Sequence, residues 1–138
     1  MRRTLAAAVA IALIASSAHA GVSSWCLWTQ LHDLHAVEVR CAGPLPPEVE
    51  SRYEGLRQAI EAAILRDASL RAGESAETAK AEMAQHAAKT RSIDPARCQD
   101  PDLKKAVMYF GILTSPETIA KLEVGLAERR DPYEGDCL

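Results

Sequence analysis

Four cysteines constrain this chain more than any other feature: Cys26, Cys41, Cys98 and Cys137. Their number is even, and all four follow a stretch built for export. Arg2 and Arg3 open that stretch, residues 5–14 form an apolar run, and Ala18-His19-Ala20 ends it with the small-residue pattern a signal peptidase cleaves after. The run has about half the ~20 apolar residues that a membrane-spanning helix needs. No cysteine stands at the junction, so a lipid on the new N-terminus is not expected. Residues 1–20 therefore read as a cleaved signal peptide. The Ala-rich composition suggests a bacterial source, which makes the destination the periplasm or the medium. In such an oxidising compartment four cysteines imply two disulfides rather than free thiols. No C-x(2–4)-C spacing occurs, which argues against a structural zinc site and against a thioredoxin-like redox motif.

The chain of 138 residues, less the 20 of the leader, leaves 118, enough for one small domain over residues 21–138. There are 16 basic and 19 acidic residues, and loss of Arg2 and Arg3 takes the net charge from −3 to −5. A mildly acidic chain with no long Lys/Arg run is a poor match for nucleic acid or anionic lipid. Neither a nucleic-acid partner nor a membrane anchor after cleavage is expected.

Proline and glycine divide the exported part into four blocks. In the second, Pro44-Leu45-Pro46-Pro47 leads into Glu48 and Glu50, a Pro-then-acid start suited to the positive end of a helix dipole. Val49, Tyr53, Leu56, Ile60, Ala63, Ile64 and Ala68 then recur at three- and four-residue steps, one stripe of a helix that Gly73 is placed to end. The third block, residues 75–90, is helical by propensity, but its apolar face is thin: Ala76, Ala79, Met83 and Ala87. Little apolar area leaves water when such a face docks, so this helix should be the least secure. In the fourth block, Asp100-Pro101 and Ser115-Pro116 are successive helix starts. Leu103, Val107, Phe110 and Leu113 form one stripe, and Ile119, Leu122 and Leu126 another. The short link between them suggests an antiparallel helical hairpin.

The first block admits two readings. As a helix it puts Trp25, Trp28, Leu31 and His35 on one face. As strands, Val37 to Cys41 alternates, and residues 24–30 can run back beside it. The cysteines favour the strands. Cys26 and Cys41 are 15 residues apart, about 22 Å along one helix, whereas a disulfide needs α-carbons within ~7 Å. A reversal near Asp33-Leu34 would set Cys26 opposite Cys41, although Asp-Leu is a poor tight turn. The expected pairs are thus Cys26–Cys41, closing an N-terminal hairpin, and Cys98–Cys137, closing the ends of the C-terminal helical hairpin.

The densest cluster of ligand-type side chains is His32-Asp33-Leu34-His35. With Asp33 or Glu38, His32 and His35 would offer a zinc or copper site. His86 becomes a third ligand if the third helix passes nearby; an exposed turn explains the same residues without a metal. Trp25 and Trp28 are candidate interface anchors, since Trp is enriched at binding hot spots, yet such residues often close the core of a small domain. Carboxylate pairs such as Glu48/Glu50 and Asp100/Asp102 sit at helix starts, where the dipole accounts for them. No nucleophile elbow and no phosphate-binding glycine loop occurs.

The expectation is a small, mainly α domain of about four helices, ending in a helical hairpin and beginning with a disulfide-closed hairpin. It is expected to need no cofactor and to be non-enzymatic. Its function would be to bind another exported or envelope protein as an inhibitor, immunity-type protein or adaptor. The alternative is metal binding through His32 and His35.

Overall fold

The computed structural model describes residues 21–89 and 93–137. The expected signal peptide falls outside them. Five α-helices and two short 3-10 turns account for most of the described residues, with no strand longer than an isolated bridge. The helices are α1 (Ser24–Ala42), α2 (Pro47–Asp67), α3 (Ala76–Lys89), α4 (Pro101–Leu113) and α5 (Pro116–Leu126). The mainly α expectation holds, and the helix starts read from Pro47, Pro101 and Pro116 fall on the first residues of α2, α4 and α5. Asp100 and Ser115 cap α4 and α5 as expected, accepting from the backbone N–H of Asp102 and Thr118.

The N-terminal hairpin is not formed. Its residues make α1, a 19-residue helix capped by Ser23, whose hydroxyl accepts from the Cys26 N–H. Burial explains the outcome. A helix brings Leu27, Trp28 and Leu31 onto one face, where each is 3% exposed or less. The alternation of Val37 and Val39, read as a strand, instead places Val37 inside and leaves Val39 41% exposed.

Both expected disulfide pairings are also overturned. Cys26 pairs with Cys137 and Cys41 with Cys98, each with α-carbons 5.3 Å apart. The distance argument that forbids Cys26–Cys41 within one helix is sound; what it excludes is the pairing, not the helix. The two cysteines lie in opposite end turns of α1, and each finds a partner at its own end. The Cys98–Cys137 pairing presumed that α4 and α5 lie side by side. Instead α4 lies chiefly along α1, while α5 packs against α2. Their ends diverge, and the cysteines beyond them meet opposite ends of α1.

One core binds these helices. The α2 stripe supplies Tyr53, Leu56, Ile60 and Ile64, α1 supplies Leu27, Trp28 and Leu31, and Phe110 and Leu122 come from α4 and α5. Helix α3 adds only Ala79 and Met83; Ala76 and Ala87 of the expected face are exposed. The tail closes over the start of α1. Ser23 N–H donates to Asp136 O and its hydroxyl to Pro132 O, at 3.1 and 2.7 Å, just before Cys137 bonds Cys26. Gly135 is required here: its φ is +116°, and a Cβ would lie 1.7 Å from Gly21 O.

Candidate metal centre

Helix periodicity places the two histidines of the 32–35 cluster in different surroundings. His35 turns toward α2, where its ring stacks on Tyr53 at 3.8 Å and 5° and its Nε2 lies 3.3 Å from Glu50 Oε2. It lies outside the ligand cluster that His32 enters, although both histidines line one cleft. Helix α3, however, does pass nearby. His86 Nε2 lies 3.0 Å from Asp33 Oδ1, and His32 Nδ1 lies 3.8 Å from the same oxygen. One ligand atom from each of His32, Asp33 and His86 falls within 4.8 Å of the others. Nitrogen and oxygen ligands of tetrahedral zinc stand about 3.3 Å apart, given bonds of ~2.0–2.1 Å, so these separations bracket what one ion needs. His86, the conditional third ligand, is thus brought to His32 and Asp33, while His35 is not.

The aromatic residues beneath the cluster hold it in place. Trp28 is 3% exposed and packs in the core. Its indole N–H donates to Glu61 Oε1 at 3.0 Å. Trp28 stacks on His32 at 5.3 Å between centroids and meets His86 edge-on at 5.4 Å. Trp25, half-buried, lies between Trp28 and Tyr133, at 5.7 and 5.2 Å. Trp28 is thus a core residue and Trp25 a half-buried one, and the row of rings from Tyr133 to His86 packs against the imidazoles. Burial pushes His32 below the usual histidine pKa despite the neighbouring Asp33.

His32 and His35 both line a cleft of about 490 Å³ between α1, α2 and α3, along with Glu50, Glu54, Arg57 and Glu61. Three carboxylates face one guanidinium there, so the cleft carries a negative field that attracts cations. Arg57 takes up part of that charge: it pairs with Glu54 and Glu61, and its Nε–H donates to Glu54 at 2.9 Å. That pairing holds the Glu54 carboxyl down to about 2, the opposite of the raised pKa that a general acid needs. These carboxylates are ion-pair partners rather than an acid/base couple. Sequence spacing gives no hint of Glu61 beneath Trp28 or of the cleft, since both depend on how α2 crosses α1.

The fold and cluster define a class: a small all-α protein stapled by two disulfides, with an imidazole–carboxylate group bridging two helices. No family model matches the chain, and neither a curated protein nor a solved structure does.

Proposed function

We propose that the chain is an exported, non-enzymatic binding protein whose ligand is a divalent transition-metal ion. The observation that carries this reading is the convergence of His32, Asp33 and His86 from two helices. Two imidazoles and a carboxylate suit zinc, copper(II) or nickel, and the set leaves a coordination position for water or an outside ligand. Export is supported by the leader-like pattern of residues 1–20 and by two disulfides, which persist in oxidising compartments. No helix among the described residues is long and apolar enough to cross a membrane. Calorimetric titration of Zn²⁺ into the purified, oxidised protein should show one site. His32→Ala and His86→Ala should each weaken it at least about tenfold, since even the partners that orient a metal ligand are worth that much. Equal binding by all three proteins would remove the proposal.

A second reading, binding of another exported or envelope protein as an inhibitor or adaptor, has a surface in its favour. Met108, Tyr109 and Ile112 on α4 are 61%, 39% and 38% exposed, beside Lys104 and Lys105. Such a cluster of large apolar side chains rimmed by charge is a common form of contact surface.

A further inference from the structure

The two disulfides leave α3 without a covalent anchor. Both have one cysteine on α1; their partners lie in the 3-10 turn Pro95–Gln99 and in the C-terminal tail. Helix α3 packs chiefly on α2 and on the turn Ala68–Leu70, with two buried side chains, Ala79 and Met83. One polar tie joins its middle to the tail, where Tyr133 Oη–H donates to Glu82 at 3.0 Å. Its last turn reaches α1 through His86, which meets Asp33, 53 residues away in sequence, and packs edge-on against the rings of Trp28 and His32.

The candidate ligands are divided across this weakly held junction. His32 and Asp33 stand on α1, which both cystines secure, and His86 stands on α3, which neither does. An ion bound by all three requires α3 to be docked. Opening of α3 removes one ligand and leaves two adjacent residues that bind poorly. Ion binding and α3 docking are therefore linked, because a ligand that binds only the closed form shifts the equilibrium toward it.

We infer that the ion acts as a third cross-link, fastening α3 to α1 and converting metal availability into the docking of one helix. This rests on the metal reading above and adds what the ion does to the fold. The helix it controls also walls the cleft, through Met83 and Ala84. Release of the ion would thus loosen one side of that cleft while the cystine-bound helices stay in place.

Amide hydrogen exchange on the oxidised protein, with and without Zn²⁺, tests the link. Provided α3 opens by itself, free Zn²⁺ at ten times its dissociation constant should slow exchange across Ala76–Lys89 by about 11-fold, the factor 1 + [L]/Kd. Amides of α1 and α4 should change far less. His86→Ala and Asp33→Asn should abolish the protection, whereas His35→Ala, outside the cluster, should retain it. Zn²⁺ binding by calorimetry without selective slowing in α3 overturns the cross-link and leaves the metal site standing. Absence of binding overturns both. Protection that survives in His86→Ala would mean that the ion sits elsewhere, and overturns both as well.

Discussion

Helices α1 and α3 are neighbours in the same small domain, held by different means. Helix α1 carries a cystine in each end turn and buries Leu27, Trp28 and Leu31. Helix α3 carries no cystine and buries Ala79 and Met83. The contrast shows how a chain with one Phe and two Trp distributes its restraints. Where large side chains are available, they are combined with covalent links. Where the buried face is thin, one alanine and one methionine on α3, docking leans on the contacts of His86 and Glu82, and local opening is correspondingly easier.

Removing a cystine should give the largest effect. The Cys41–Cys98 pair closes a loop of 57 residues and the Cys26–Cys137 pair one of 111. Chain-entropy reasoning puts each at about 4–5 kcal/mol, with the longer loop slightly ahead. Cys41→Ser/Cys98→Ser should therefore show a large fall in urea midpoint, and Cys26→Ser/Cys137→Ser a similar one. A loss under about 1 kcal/mol in both would mean that α1 does not depend on its cystines, and the contrast with α3 would fail.

Core truncations on the two sides come next. Phe110, 1% exposed, packs near Tyr53 and His35 at 6.0 Å between ring centroids, and Phe110→Ala should cost about 4 kcal/mol. Met83→Ala should cost nearer 2 kcal/mol, because α3 can shift to fill the space and because Met adapts to irregular gaps. Exchange should also separate them. Phe110→Ala should speed the slowest amides throughout, whereas Met83→Ala should act mainly within Ala76–Lys89. Equal global effects would show that α3 unfolds only with the rest.

Much of this was legible in the sequence, and the failures share a cause. The α2 stripe was readable because Tyr53, Leu56, Ile60 and Ile64 obey one helical period, and the caps at Asp100 and Ser115 because capping is local chemistry. The thin α3 face was readable for the same reason. The cystines were not, because each pairing depends on where a distant segment returns. Period-2 alternation over Val37–Val39 was too short to outweigh the burial gained by one long helix. His86 could be named as a third ligand but not placed, since its approach to Asp33 depends on the α1–α3 crossing.

The smallest expected effect concerns how the tail is held. Asp67, at the end of α2, has a side chain only 3% exposed and pairs with Arg66 and Arg129 while accepting from the Arg130 N–H. Hydrogen bonds from Arg66, followed by those from Arg130 and Arg129, hold its carboxyl below the usual carboxylate range. A group with a lowered folded-state pKa adds stability that is complete above its unfolded value, near 3.9, and is lost as pH falls through the folded value. Stability should therefore decline on acidification below about pH 4. Asp67→Asn should flatten that decline and cost on the order of 1–2 kcal/mol at pH 7, since its arginine partners can turn to water. The exchange pattern then shows which side of the contrast the tail belongs to. If Asp67→Asn frees residues 128–133 without disturbing α1, the Cys26–Cys137 bond and the Ser23–Asp136 hydrogen bond beside it suffice to hold the tail to the helix. If it loosens α3 as well, through the Tyr133–Glu82 bond, then the tail is a shared brace and α3 is less isolated than its lack of a cystine implies.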